Sequence, residues 1–386
     1  MYSSRFRWSF QPNRLTQLLT AKRREAAEIL DLTESNPTRA GFSYPQEILR
    51  AFEDERMLRY EPNPAGMREA REAVASYYEM RGVAVEPERI LLTASTSEGY
   101  AYLFKLLTDP GDNILVPRPS YPLFEFLATM ESVEVRPYSL TYNGTWSIDL
   151  ESLTSAITPR TRAVVLVNPN NPTGSHVKRG ELEQLSSTCA AREIALISDE
   201  VFADYAFSPD PNRVLTLANA EEGLAFAMSG LSKIAGLPQM KLGWIVIAGS
   251  APQSALEKLE WIADTYLSVG TPVQCAAARL LHAGATIQQQ IAQRTSENLQ
   301  FSRQAFEGTA ANLLVVEGGW YAVLQVPRIR SEEEWALELL SNRNVLVQPG
   351  FFYDFPSEAF LVASLITPNP VFREGMARLR ALLECA

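Results

Sequence analysis

Between about residues 88 and 250 short β-rich runs alternate with helical segments, and no other feature of the chain limits its fold so strongly. The runs at 89–95 (RILLTAS), 113–117, 162–168 (RAVVLVN), 194–198, 225–229 and 244–248 are strand-length and mostly apolar. A strand with one wet face alternates polar with apolar residues, whereas a continuous apolar run has both faces covered. Helical segments at 98–107, 123–130 and 181–192 separate these runs. The alternation predicts an α/β unit with a mostly parallel sheet between two helical layers.

Beyond Pro252 the pattern changes to longer helical stretches at 255–266 and 273–300. Strand-like pieces follow at 313–316, 321–326 and 360–364, with a last helix at 372–385. This reads as a smaller α+β unit. The first 44 residues do not fit the βα alternation and are assigned to that unit, as an N-terminal arm and segment. The expected division is therefore 45–265 for the large domain, with 1–44 and 266–386 for the small one.

Charge and rare residues narrow the function classes. Lys+Arg 35 against Asp+Glu 45 gives a net charge of −10, which argues against a broad nucleic-acid face and a polybasic membrane anchor. The two histidines, His176 and His282, are far apart, so neither a His-rich metal site nor a Cys–His nucleophile pair is expected. Cys189, Cys275 and Cys385 form no CxxC pattern, which encodes neither a disulfide framework nor a zinc knuckle. The start, MYSSRFRWSFQPNR, is broken by arginines and does not read as a secretory leader. The purely aliphatic stretches are too short to span a bilayer. A cytoplasmic, acidic, metal-free enzyme is the expectation.

Chemistry concentrates at three strand ends. No strand is followed by GxGxxG, and GxxxxGK[ST] is absent, so a nucleotide fingerprint is not the explanation. Instead NPNNPTG (168–174), Ser198-Asp199-Glu200 and Ser229-Gly230-Leu231-Ser232-Lys233 each follow an apolar run. Open α/β sheets bind ligands at the carboxyl ends of their strands. An Asn, an Asp and a Lys thus converge on one edge. Singly each has a plain reading: a turn-rich loop, a helix cap and a surface cation.

In this order and spacing the three segments resemble the class I/II aminotransferases, the fold-type-I enzymes that use pyridoxal 5′-phosphate (PLP). SDE comes 28 residues after Asn171 (171 to 199), GLSK 34 residues after Asp199 (199 to 233), and GLPQMKLG follows. The likeness runs from about residue 30 to the C-terminus, and within the family DLTESNPT and LPQMKLGW look like a bacterial branch.

The resemblance implies a mostly parallel seven-stranded sheet in the large domain and a homodimer with shared active sites. It also implies roles. Lys233 would form the Schiff base with the PLP aldehyde, and burial would supply the neutral amine this needs. Asp199 would keep the pyridine nitrogen protonated, making the ring a better electron sink. Asn171 would donate to the ring oxygen and Tyr121 would stack on the ring face. Ser95, Thr96 and Ser97 would hold the phosphate at a helix N-terminus, with Ser232 and Lys241. Tyr60, and Thr271 likewise, would reach the phosphate of the partner subunit's cofactor. A lyase or decarboxylase on the same site, and a PLP-binding regulator without turnover, are the alternatives.

Four departures from the family pattern stand out. Lys241 occupies a position usually held by arginine, so a point charge replaces a planar fork. Gly230 stands where a hydroxyl residue is common, leaving Ser229 or Ser232 as substitutes. Phe202 replaces a tyrosine that would share the ring oxygen with Asn171, and Tyr205 is the nearby phenol. Finally, 360–365 (FLVASL) lacks the arginine that grips a substrate carboxylate. Arg39 is the candidate in its place, with Arg5, Arg7 and Arg14 as alternatives, unless the substrate has no carboxylate there.

Overall fold

The structure, a computed structural model, describes residues 2–6, 8 and 11–385. Its strands in chain order are β1 Leu30–Asp31, β2 Ile90–Thr93, β3 Asn113–Arg118, β4 Glu134–Tyr142, β5 Trp146–Ile148, β6 Thr161–Val167 and β7 Ala195–Asp199. There follow β8 Leu224–Gly230, β9 Gly243–Gly249, β10 Asn312–Leu313, β11 Tyr321–Gln325, β12 Val345–Leu346, β13 Gln348–Pro349 and β14 Phe360–Ser364.

Eight of these form one sheet in the order β2-β9-β8-β7-β6-β3-β4-β5. Its centre, from β8 to β4, is parallel, and β9, β2 and β5 are antiparallel additions. The strand beyond the expected seven is β5, three residues turned back on β4 by a hairpin. Strand β4 escaped the hydrophobic reading because it lies near the edge and mixes Glu134, Arg136 and Pro137 with buried Tyr138 and Leu140.

Successive residues of the central strands point into two different cores. Val164, Leu166, Leu196 and Ala227 pack on one face, and Val165, Ile197, Phe226 and Met228 on the other. That two-sided burial is what the uninterrupted apolar runs required. Helices Thr96–Leu107 and Pro252–Tyr266 cover the second face, while Arg68–Met80, Arg179–Ala190 and the start of Thr271–Phe306 cover the first.

A second sheet runs β10-β11-β14-β13, all antiparallel. One face of it, with Ala322, Leu324, Leu361 and Ala363, packs with helices Glu332–Arg343 and Asn369–Glu384. The other face, with Tyr321, Val323, Phe360 and Val362, joins the core of the large sheet. Strand β1 pairs in parallel with β12, and helix Arg14–Arg24 lies against Glu332–Arg343, so the early chain is tied to the late chain. The 36-residue helix Thr271–Phe306 bridges the units: Ile287 and Ile291 sit in the first core, Leu299 and Phe306 in the other.

Candidate active site

Strand register brings the polar loops together. Val167 on β6 is level with Asp199 on β7, and Asp199 is level with Met228 on β8. The exits are stitched: the Asn168 N–H donates to the Asp199 carbonyl (2.8 Å) and the Glu200 N–H to the Met228 carbonyl (2.8 Å). Val167, Asp199 and Met228 therefore lie at one height, β8 running on to Gly230 beside β9, and Asn171 and Lys233 follow within a few residues of that level.

Asp199 ends β7, partly buried. Tyr100 Oη donates to its Oδ2 (3.1 Å) and the Val201 N–H to its Oδ1 (3.2 Å). Burial outweighs these bonds and pushes its carboxyl up from 3.8 to about 6. Lys233 sits in the one-turn helix Leu231–Ile234 after β8. Its Nζ lies 4.9 Å from the Trp320 ring centre and 5.7 Å from that of Phe202. Burial brings its amine down from 10.5 to about 8, against the pull of Asp199 in the other direction.

Asn171 is buried in the loop after β6, and its Oδ1 has no protein partner. A buried amide oxygen without a partner costs about 1–3 kcal/mol, so the loop holds a polar group ready for something other than its own fold. Beside it, Asn170 Nδ2 donates to the Pro119 carbonyl (3.0 Å) and Ser120 Oγ donates to Asn170 Oδ1 (3.2 Å). These bonds tie the segment that leads into Tyr121 to the loop that carries Asn171. Tyr121 is 47% exposed, so it is not the core aromatic that a helix start commonly carries.

The turn 95–98 is a helix start with free donors. Ser95 Oγ accepts from the Glu98 N–H (3.2 Å), and Glu98 Oε2 accepts from the Ala94 N–H (2.7 Å). Thr96 and Ser97 open the helix, where N–H groups have no intrahelical acceptor. Ser268 Oγ donates to the same Glu98 oxygen (2.6 Å). That bond joins the turn to a cleft lined by Tyr60, Tyr102, Ser268, Thr271 and Gln274. Tyr60 and Thr271, 211 positions apart in sequence (60 to 271), thus share one cleft next to the 95–98 turn. Lys241 is exposed at φ 52°, just before β9.

Gly230 has a steric reason. A Cβ there would lie 2.9 Å from Gly243 Cα and 2.9 Å from the Leu242 carbonyl oxygen. The pairing of β8 with β9 excludes any side chain, hydroxyl-bearing or not. Of the two substitutes, Ser229 is buried with an unpartnered Oγ, and Ser232 is half-buried.

Among the described residues, no arginine candidate is hydrogen-bonded or ion-paired to Lys233, Asp199 or Asn171. Arg39 is exposed and its backbone N–H closes a turn on the Asn36 carbonyl. Arg14 pairs with Glu333 at 3.0 Å, and Arg5 is exposed. Arg7 lies outside the described residues. Strand β14 is buried along its length and presents Val362 and Ser364, with no cation, on the face shared with Tyr321.

Tyr205 does not stand in for the tyrosine that Phe202 replaces: its Oη donates to the Lys233 carbonyl (2.6 Å). Sequence reasoning missed Tyr100, Trp320 and the Glu98–Ser268 bond. Tyr100 is one helical turn on from Thr96, so its share in that helix face was within reach of a helix projection, whereas its bond to Asp199 was not. Trp320 had only the preceding Gly318-Gly319 as a sign that backbone passes close by.

Comparison with known proteins identifies the family and the fold. The sequence matches the family model for aminotransferase class I and II over residues 27–364. Tyrosine aminotransferase of Bos taurus is 26% identical over 335 residues, 83% of this chain and 73% of that protein. The glutamate-pyruvate aminotransferase AlaA of Escherichia coli strain K12 is 30% identical over 261 residues, 65% and 63% of the two. In fold, the alanine aminotransferase from Pyrococcus furiosus superposes with a TM-score of 0.90 at 22% identity, covering all of both chains.

Proposed function

The chain belongs to the class I and II aminotransferases, and from that premise we propose that Lys233, Asp199 and Asn171 hold its PLP while Lys233 moves the proton. Its activity is transamination, from an amino donor to an oxo acid. PLP supplies the aldehyde that receives the amine and the ring that draws electrons from the amine-bearing carbon. The buried Asn171 amide, whose Nδ2 would donate to a ring oxygen, and the Asp199 carboxyl, which would accept from a ring nitrogen, suit a polar heteroaromatic ring lying between them.

Lys233 is the proton carrier. With an amine near 8, about one molecule in ten carries it neutral at pH 7, roughly 300 times more than at 10.5. Asp199 would face the ring nitrogen and keep its proton in place. Tyr100 and the Val201 N–H hold the carboxylate so that it does not turn away. Tyr121 covers the ring face. Ser95, Thr96 and Ser97 offer hydroxyls and N–H groups to the phosphate, with Ser232 and Lys241 completing the shell.

In this reading the protein is a cytoplasmic homodimer, with Tyr60 and Thr271 of one subunit serving the phosphate of the other. Tyr60 is 76% exposed, and Leu49, Leu58 and Trp261 are exposed apolar side chains that a second copy would cover. The three cysteines are free, as a reducing compartment keeps them. Two units, 45–265 and 1–44 with 266–386, fit the two sheets, with the helix Thr271–Phe306 shared between them. Arg39, exposed in the structure, is the substrate contact of this reading.

One observation carries the proposal: the register that sets Val167, Asp199 and Met228 level at the carboxyl edge of β6, β7 and β8. The test is the visible band that PLP gains when bonded to lysine. Wild-type protein is expected to show it and Lys233→Ala to lack it; a band that persists in the variant assigns the bond elsewhere. The relatives act on different amino acids by name, so the donor is sought with a panel of amines with and without an α-carboxylate. Loss of the band reports each reaction. A response to simple amines alone would remove Arg39 from the site.

A further inference from the structure

Lys233 is gripped at two points by residues outside the PLP shell. At its backbone, the carbonyl accepts Tyr205 Oη at 2.6 Å in addition to the Gly236 N–H at 3.1 Å. Tyr44 Oη donates to the Gly236 carbonyl at 2.8 Å, pinning the end of the same turn. At its tip, Nζ lies over the Trp320 ring. Tyr205 and Trp320 touch each other edge to face at 5.2 Å, and Phe202 meets Trp320 at the same distance.

Trp320 is itself held from several directions. The Leu365 N–H donates to its carbonyl (2.7 Å), the Gly319 N–H to the Tyr205 carbonyl (2.9 Å) and the Gly318 N–H to the Gly174 carbonyl (2.9 Å). Gly174 belongs to the Asn171 loop, at φ +68°, and a Cβ there would lie only 2.4 Å from the Gly318 oxygen. Trp320 is fully buried, yet its indole N–H has no partner. A buried tryptophan normally satisfies that donor. Here the ring is placed for its face.

We infer that Tyr205 and Trp320 are positioning residues that clamp Lys233, the phenol fixing its backbone turn and the indole face receiving its ammonium whenever the lysine is not bonded to PLP. The inference rests on the reading of Lys233 as proton carrier. An aromatic face favours the cation, and the surrounding burial favours the neutral amine. Between them the lysine keeps one resting place and a proton it can release.

Both arms are tested on the PLP-free protein. Tyr205→Phe removes the hydroxyl and keeps the ring against Trp320. The Gly236 amide is expected to exchange its hydrogen about tenfold faster, with β6 and β7 unchanged. For the indole, the pH midpoint of Lys233 acetylation by acetic anhydride is read by peptide mass spectrometry. Trp320→Leu removes the cation's partner and is expected to lower that midpoint by about one pH unit, and Trp320→Phe by less. A midpoint that stays or rises in Trp320→Leu overturns the clamp, as does an exchange rate within about threefold of wild type in Tyr205→Phe. Because neither readout uses PLP, absence of the visible band in wild-type protein would sink the PLP site without imitating either result.

Discussion

The carboxyl edge of the large sheet and the facing side of the small sheet meet at one site but are built from opposite materials. The first carries Asn171, Asp199 and Lys233, two of them with displaced proton affinities. The second carries Tyr321, Val323, Val362 and Ser364 and bears no charge. The polar groups of the first stand at or just past strand ends tied by register. The opposing wall contributes shape, aromatic faces and hydroxyls. Burial displaces titration on both walls, raising the Tyr321 phenol on the second, but the groups that carry charge belong to the first.

The widest expected contrast is Asp199→Asn. Turnover should fall by about 10²–10³-fold, as for loss of one preorganised electrostatic group. Stability should move the other way. The fold raises this carboxyl from 3.8 to about 6, so its favourable contribution is complete below 3.8 and is lost as pH rises through 6. In urea unfolding of the PLP-free protein at pH 8 the substitution should stabilise by up to about 3 kcal/mol, a gain that disappears near pH 4. If the variant is no more stable at pH 8, the carboxylate is not a burdened group and the contrast between the walls weakens.

Val362→Ala probes the opposite wall. It should cost about 2 kcal/mol of stability by urea titration while PLP affinity stays within about twofold, because Val362 is packing rather than cofactor contact. Tyr100→Phe returns to the charged edge with a smaller effect. It removes the phenol at 3.1 Å from Asp199, and turnover should fall about tenfold with donor KM little changed. Phe202→Tyr carries a hydroxyl from the uncharged surroundings to the ring oxygen. It should lower the pH midpoint of the visible band by about one unit, since a donor there favours the deprotonated form. The smallest effect is expected from Lys241→Ala. At an exposed position, PLP binding should weaken only a few-fold, and less so at high salt.

Some of this was open to reading in one dimension. The two-faced apolar runs foretold the parallel core of the large sheet, since burial on both sides leaves no place for polar residues. The loop residues Asn171, Asp199 and Lys233 showed themselves as polar groups where a scaffold has no need of them. Strand β4 stayed hidden because an edge position tolerates Glu134 and Arg136. Tyr205 was visible as a candidate, but its direction was not; a side chain's aim depends on backbone far away in sequence. Trp320 could not have been singled out at all, because its contacts come from segments near 174, 205, 233 and 365.

By itself, then, the order of residues determined the α/β architecture and the chemistry of the loop ends. Those follow from local hydrophobic period and from short polar motifs, which act over a few residues. The register of β6, β7 and β8, the exclusion of a side chain at Gly230, the shared cleft of Tyr60 and Thr271 and the aromatic bed under Lys233 were decided only in the tertiary structure. Each depends on distances between residues tens to hundreds of positions apart, and such distances are set by packing rather than by any local pattern.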